Sequence, residues 1–396
     1  MGNDNVILPR EEKIWPENEK RLKVDGHCHT TGSDGSYTIA ALIAKAKENG
    51  LKYLAITDHN HLAHLAQFLV KNGRPLDQAI YDFDGVKLIP GVEVTCRIKN
   101  TKNLKGNTCK VHIVVLAPDL RPNTPLVRLI NAKHKNDIAC DYGTLISILK
   151  AKGIEMDESM EEKVRRFMDY KKRQYPGFSS LDRESTYEFL MSEGLVRSRK
   201  DYAKLYDKVH KASRMNITTA DLIKIVHASG GIAILAHPKS SITRRTNDPE
   251  TAYEALINDG IDGFETQCYG TDFDTNRTIE GVARRMGCEN LLCSGGSDCH
   301  GPSREVGMAK GNPILEDNFR PLYERIEEKQ RQREVSPVEY PDYEKADIEK
   351  ILKYYEWWQQ NGFAFNGDLP LFYVPYPEVD NESHQENSSD DGKSTR

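Results

Sequence analysis

No C-x-x-C pair occurs among the eight cysteines of this 396-residue chain, so the spacing indicates neither a disulfide framework nor a zinc ribbon. No run approaches the roughly 20 apolar residues of a membrane helix, and no membrane partner is expected. The opening stretch, MGNDNVILPREEKIWPENEK, lacks the apolar core of a secretory signal. Scattered thiols without that signal predict reduced cysteines in a cytoplasmic setting. A formal net charge of −5 gives no global basic field for nucleic acid, which leaves only a local basic patch to hold one. Hydrophobic residues at 38% against 29% charged suit a large α/β body carrying polar helical additions.

Histidine is where the sequence is rich. VDGHCHTTGSDGS, AITDHN, KVHIVVLA and ILAHP each carry histidine on or just after a short β-branched run, and SGGSDCHG closes the series. In H-C-H, His27 and His29 share one face of an extended chain, because alternate residues do. Cys28, and likewise Cys299 in D-C-H, then point away and serve packing. Asp34, Glu93 and Asp298 occupy similar positions, and imidazole with carboxylate is the donor set for zinc, manganese or iron. Such a set, repeated at successive strand ends, is how an α/β barrel assembles one site from remote residues.

The chain organises accordingly. LKVDGHCH, the helical YTIAALIAKAKENG and YLAITDHN form a β-α-β unit, which implies parallel strands. VKLIPGVEVTC, KVHIVVLA, GGIAILAHP, DGFETQCY and NLLCSGGSD continue the pattern to seven strand candidates, with near-continuous apolar runs as in buried parallel strands. Residues 22–310 are read as the barrel, interrupted by a helical insertion over 121–222. Residues 1–21 are a polar lead-in and 378–396 an acidic tail read as disordered. Between them, 311–377 form a helical extension whose Tyr354, Tyr355, Trp357 and Trp358 are expected to pack it against the barrel. The insertion carries basic residues from Lys163 to Arg173 and from Arg197 to Arg214, interleaved with Tyr202 and Tyr206. These read either as a solvated helical face or as a phosphate-tracking lid over a nucleotide or nucleic acid.

The order of motifs resembles the PHP family (polymerase and histidinol phosphatase domains): HCH at 27–29, the Asp of GSDGS, TDHN at 57–60, GVEV at 91–94, VHIVVLA from 111, LAHP at 235–238 and SDCH at 297–300. The resemblance implies a distorted seven-stranded (β/α)7 barrel holding two or three divalent metals, manganese, zinc or iron. Carried over by motif, His27, His29, Glu93 and Asp298 would hold one metal. A bridging Glu93 with His112 and His237 would hold a second, and Asp34, His59 and His300 a third. The resemblance is nearest to the nucleotide-processing branch. It implies hydrolysis of phosphate esters by a metal-bridging hydroxide, with Glu93, His59 and Asp298 carrying the reaction. Expected substrates are phosphorylated small molecules or nucleotides, 3′,5′-bisphosphates among them, or single-stranded RNA or DNA 5′ ends. TDHN stands where the family more usually has TDHD.

Lys239, Arg244, Arg245, Arg97 and Arg304 are the candidates to grip phosphate, each alternatively a surface charge. Asp58 is expected to orient a ligand or to cap the next helix. His61 and His64 are expected to face solvent, His134, His210 and His227 to be ordinary, and His384 to lie in the tail. Two rival readings remain: a small-metabolite phosphatase of the histidinol phosphate type, and a non-catalytic metal-binding module regulating a nucleic-acid partner. The nine ligand positions argue against the module, since a structural zinc needs four closed ligands.

Overall fold

The computed structural model describes residues 23–174, 178, 181, 183–209, 214–335 and 345–361. The polar lead-in, the acidic tail and His210 lie outside them. In chain order, β1 (Lys23–Asp25), α1 (Ile39–Glu48) and β2 (Leu51–Ile56) form the first β-α-β unit. Thr38 caps α1 by accepting from the Ala41 amide, and Ile39, Leu42 and Ala46 bury one stripe of the helix. Gly50 ends it with φ +69°, a left-handed turn that glycine adopts without penalty.

Next come α2 (Ala63–Lys71), β3 (Tyr81–Phe83), β4 (Val86–Lys102) and β5 (Thr108–Leu116). A helical stretch follows: α3 (Pro125–Ala151), α4 (Glu158–Gln174), α5 (Arg183–Ser192), α6 (Arg199–Lys208) and α7 (Thr219–His227). Strand and helix then alternate through β6 (Ile232–Leu235), α8 (Pro249–Asn258), β7 (Gly263–Cys268), α9 (Phe273–Arg285) and β8 (Leu292–Gly296). Two helices complete the described chain, α10 (Arg320–Val335) and α11 (Lys345–Asn361). Among the described residues no helix is long and apolar enough to cross a membrane.

The sheet has eight strands, ordered β1-β2-β4-β5-β6-β7-β8, with β3 pairing β4 off that path. This corrects the expectation of a parallel, closed, seven-stranded barrel in two respects. First, β4–β5 and β5–β6 are antiparallel. Residues 103–107 alone join β4 to β5, and so short a loop cannot make the crossover that parallel strands need. Second, no ladder joins β1 to β8 among the described residues. Their ends meet through single bonds, Gly26 N to Gly295 O and Asp298 N to His27 O, both 2.9 Å. Beneath them the buried Asp25 carboxylate accepts from Ser297 N at 2.9 Å, His27 N at 3.2 Å and Gly307 N at 2.7 Å. It fastens the two strand ends that carry H-C-H and S-D-C-H.

Alternation along β4 and β5 sorts their side chains. Val92, Val94, Cys96 and Ile98, with Cys109, Val111 and Ile113, enter the main core. Glu93, Thr95, Arg97 and Lys99, with His112, Lys110 and Thr108, share the opposite face. Cys28 and Cys299 are fully buried in the same core. Helix α3 serves two cores. Leu126, Val127, Leu129 and Ile130 join the main one, while Leu145, Ile148 and Leu149 meet Val164, Met168, Phe189 and Leu190 in another. Of the aromatics expected to fix α11, only Tyr355 is shown to do so. Its ring is buried, and its hydroxyl donates to Asp221 at 2.8 Å and accepts from Thr218 N at 3.1 Å. Tyr354 and Trp357 are 55% and 59% exposed, and the Trp358 side chain lies outside the described residues.

Contrary to the expectation that it faces solvent, His61 is buried and stacks on His134 of α3, with ring centroids 4.2 Å apart. Burial, with the like charges of His61 and Lys133 adding to it, holds His134 well below the ordinary imidazole range. The unfolded chain therefore binds a proton that the folded chain does not, so stability is full above about pH 6.5 and falls below it. Between pH 6.5 and 5.5 this site loses about 1 kcal/mol. In urea unfolding, His134→Leu should flatten the pH slope by that amount, whatever its effect at pH 7.5. An unchanged slope would mean that His134 protonates in the folded state.

Candidate metal centre

The structure brings all nine histidine and carboxylate positions to one rim, and Glu93 lies at their centre. Its Oε1 is 2.9 Å from His112 Nδ1 and 2.9 Å from His237 Nε2. Its Oε2 is 2.9 Å from His59 Nδ1, 3.3 Å from His29 Nε2 and 3.4 Å from His27 Nε2. Asp298 Oδ1 lies 3.3 Å from His29 Nε2 and 3.4 Å from His300 Nδ1. Asp34 faces His300 at 3.3 Å, His59 at 3.7 Å and His29 at 3.8 Å. Three groups of donor atoms are close enough to share an ion: His29, Asp34, His59 and His300; His27, His29 and Glu93; His59, Glu93 and His112. His29 and His59 each belong to two groups, so the sites are more interlocked than the motif order suggested.

Strand ends and strained turns aim these residues. His237 and Asp298 adopt φ +33° and +51°, left-handed conformations that cost non-glycine residues about 1–3 kcal/mol and cluster at functional sites. Asn60, at φ +48°, explains the N of TDHN. Its backbone amide donates to Glu93 O at 2.9 Å, and its side-chain Oδ1 accepts from Thr95 N at 2.9 Å, which pins β4 beside the centre. Asp58 caps no helix. It accepts from Thr30 N at 2.7 Å, Thr30 Oγ1 at 2.6 Å and Ser33 Oγ at 2.8 Å, holding the loop between His29 and Asp34.

The sequence reading gave no role to Glu265. On β7 its Oε1 accepts from His27 Nδ1 at 2.7 Å, and its Oε2 accepts from His237 N at 2.7 Å. The available signal was a carboxylate in the otherwise apolar run DGFETQC. With His27 Nδ1 held on Glu265, its Nε2 lies 3.0 Å from His29 Nε2. Two imidazole nitrogens at that distance, above a buried Glu93 Oε2 that makes no well-oriented hydrogen bond, fit a shared divalent cation.

Electrostatics follow the same geometry. Burial works against the charge on Glu93, but His59, His112 and His27 outweigh it and hold the carboxylate well below its usual range. Asp34 and Asp298 are likewise lowered against their burial, Asp34 chiefly by His300 and Asp298 chiefly by His29. Burial depresses His112 to about 4. His59 rises to about 9, because Glu93 overcomes its burial. We expect Glu265→Gln to weaken divalent-metal binding about 10- to 100-fold, as loss of a carboxylate behind a ligating imidazole does. Calorimetric titration of metal-stripped protein measures this, and an unchanged affinity would make Glu265 a packing residue only.

The five candidate phosphate-gripping residues separate. Arg304 donates to Asp298 O at 2.8 Å and pairs with its carboxylate. The Arg304 guanidinium lies 4.5 Å over the ring of Tyr269, which is 54% exposed. Lys239 pairs instead with Asp272, the cap of α9. Arg244 is exposed. Arg97 and Arg245 line a cavity farther out along β4 and β5. Several basic residues of the insertion are paired with carboxylates: Lys163 with Glu193, Arg165 and Arg166 with Glu162, Lys171 with Glu188, Arg199 with Glu184 and Arg214 with Asp141. Tyr202 is buried, with its hydroxyl donating to Arg183 O. The solvated face describes these residues better than a stacking lid.

The family model for the PHP domain matches residues 25–259. A 5′-3′ exoribonuclease of Haemophilus influenzae is 26% identical over 77% of this chain and 99% of its own length. A phosphoribosyl 1,2-cyclic phosphate 1,2-diphosphodiesterase of Eggerthella lenta is 26% identical over 70% of this chain and 94% of its own. A 3′,5′-nucleoside bisphosphate phosphatase of Chromobacterium violaceum is 24% identical over 77% of this chain and 96% of its own.

Proposed function

The chain belongs to the PHP domain family, and from that premise we propose that it is a metal-dependent phosphoesterase acting on nucleotides or on RNA or DNA 5′ ends. One observation carries the reading: a single buried carboxylate, Glu93, faces five imidazoles, with Asp34 and Asp298 on either side. So many titratable groups buried together are unstable unless cations compensate them. Relatives named for RNA and nucleoside bisphosphates support the substrate class. The body that does this is residues 22–310, with 121–222 as its helical insertion and 311–377 as an extension. The strand path β1-β2-β4-β5-β6-β7-β8, with β3 an appendage, carries the site.

His27, His29, Glu93 and Asp298 would hold one ion, Glu93, His112 and His237 a second, and Asp34, His59 and His300 a third. Bound there, divalent ions lower the pKa of water and neutralise charge on a phosphoryl group. The chain's own residues set the stage. Glu93, Asp34 and Asp298 supply fixed negative charge. Glu265 holds the His27 ring with its Nε2 toward Glu93, and Ser241, 2.8 Å from His237 Nδ1, does the same for His237. Arg304, braced on Asp298 and Tyr269, keeps further N–H donors for a phosphate oxygen.

The test is a substrate panel of nucleoside 3′,5′-bisphosphates, 5′-phosphorylated RNA and DNA, and histidinol phosphate, with elemental analysis of the same sample. Release of phosphate or mononucleotide from the first three by protein containing manganese, zinc or iron is expected. Turnover of histidinol phosphate alone would transfer the chain to small-metabolite chemistry. No turnover by metal-loaded protein would make it a binding module.

A further inference from the structure

Beyond the metal centre, the same face of β4 and β5 continues into a cavity of about 700 Å³. We propose that this cavity binds the phosphodiester backbone of a single-stranded nucleic acid whose terminal phosphate ester lies at Glu93. The inference rests on the phosphoesterase reading for what happens at Glu93, but the binding it describes stands apart from turnover.

Register places the cavity. Arg97 follows Glu93 by four residues on β4, and Lys110 precedes His112 by two on the paired strand, with Arg97 directly opposite Lys110. At about 3.3 Å per residue, the cationic tract begins at the Arg97–Lys110 pair, roughly 13 Å along the strands from Glu93, and continues to Lys99 at roughly 20 Å. Its cations are Arg97, Lys99, Lys110 and Arg245, with Asn216 and Thr218 beside them. Among the described residues none of the four has an ion-pair partner within 4 Å, in contrast to the paired arginines and lysines of the insertion. Arg97 is fixed in place, Nε donating to Asn216 Oδ1 at 2.6 Å and Nη1 to Thr108 O at 2.9 Å.

Four gathered like charges repel one another, and a polyanion relieves that repulsion. One phosphate is too small and too weakly charged for a cavity of this volume with four cations. A chain of phosphodiesters offers one charge per link along a line, as the tract does. The lining has no aromatic or apolar side chain on which a base could stack. The contacts therefore fix position and register without reading sequence, and RNA and DNA strands should both be accepted.

The experiment compares the full chain with a Lys99→Ala, Lys110→Ala double variant, and with Lys99→Arg, Lys110→Arg as the conservative control. The probe is a 3′-fluorescein-labelled, 5′-phosphorylated decanucleotide, RNA in one arm and DNA in the other. Binding is read by anisotropy in chelator across a salt series, so no hydrolysis is needed. The alanine variant should bind about tenfold more weakly. Its slope of log affinity against log salt should shrink by about 1.4, at about 0.7 per single-strand contact, and the arginine variant should restore both. With metal, KM for the decanucleotide should rise about tenfold while kcat and turnover of a nucleoside 3′,5′-bisphosphate hold. Unchanged affinity and slope, or an equal loss on the bisphosphate, would overturn the proposal. If wild-type protein hydrolyses no ester yet the alanine variant loses strand binding, the functional reading fails and the cavity's role stands. If bisphosphates are hydrolysed and the variant binds strands normally, the reverse holds.

Discussion

Glu93→Gln should lower turnover by about 1,000-fold or more while the far-ultraviolet circular dichroism stays that of the wild type. A roughly 1,000-fold loss corresponds to about 4 kcal/mol of transition-state stabilisation, at about 1.36 kcal/mol per tenfold in rate. The amide keeps the shape of the carboxylate and can still accept from His112 and His237 through its oxygen. Its NH2 group, however, would meet His59, His29 and His27, where Oε2 now lies within 2.9–3.4 Å of three ring nitrogens. A donor placed against ring nitrogens that themselves face inward cannot replace a shared anion. Metal content measured on the same variant should fall by at least one ion per chain, because two of the three close donor groups include Glu93. Near-normal rates with full metal content would show that Glu93 does not bridge, and the proposed arrangement of ions would fall with it.

The convergence around Glu93 was legible because strand alternation and strand ends are local rules. H-C-H places His27 and His29 on one face wherever the strand goes, and D-C-H does the same for Asp298 and His300. What stayed hidden depends on contacts distant in sequence. Glu265 reads as one more residue of a core strand until His27, 238 positions earlier, is seen against it. His61, just before α2, reads as exposed because its cover is His134, on a helix that the local pattern could not place above it. The left-handed backbone at His237 and Asp298 carries no glycine to announce it. The first β-α-β unit predicts parallel pairing, which holds for β1–β2 and β2–β4 but not for β4–β5 or β5–β6. The five residues 103–107 between β4 and β5 should have argued for a hairpin. Several basic residues of the insertion read as free because the carboxylates they pair with stand on other helices or one turn away.

Stripping the protein with chelator should lower its melting temperature by roughly 10 °C, and adding back a divalent metal should restore it. A ligand at 1,000 times its Kd stabilises the folded state by about 4.1 kcal/mol. Each 1 kcal/mol shifts a domain of this size by about 2–4 °C. The effect should be large because of what the centre lacks otherwise. Glu93, His27 and His29 are buried, with Asp298 and His59 partly so and Asp34 at the exposed edge, and no lysine is hydrogen-bonded or ion-paired to the three carboxylates among the described residues. Among the described residues, the one non-histidine cation in contact is Arg304, on Asp298. The Glu265→Gln protein should show a smaller restoration at equal metal, since His27 would be held less firmly. Differential scanning calorimetry at fixed pH, with manganese, zinc and iron(II) tested separately, reads all of this. A melting temperature indifferent to chelator in protein shown by elemental analysis to have lost its metal would mean that the histidines and carboxylates satisfy one another without ions. The case for a metal centre at Glu93 would then fail on stability grounds, whatever the activity assays gave.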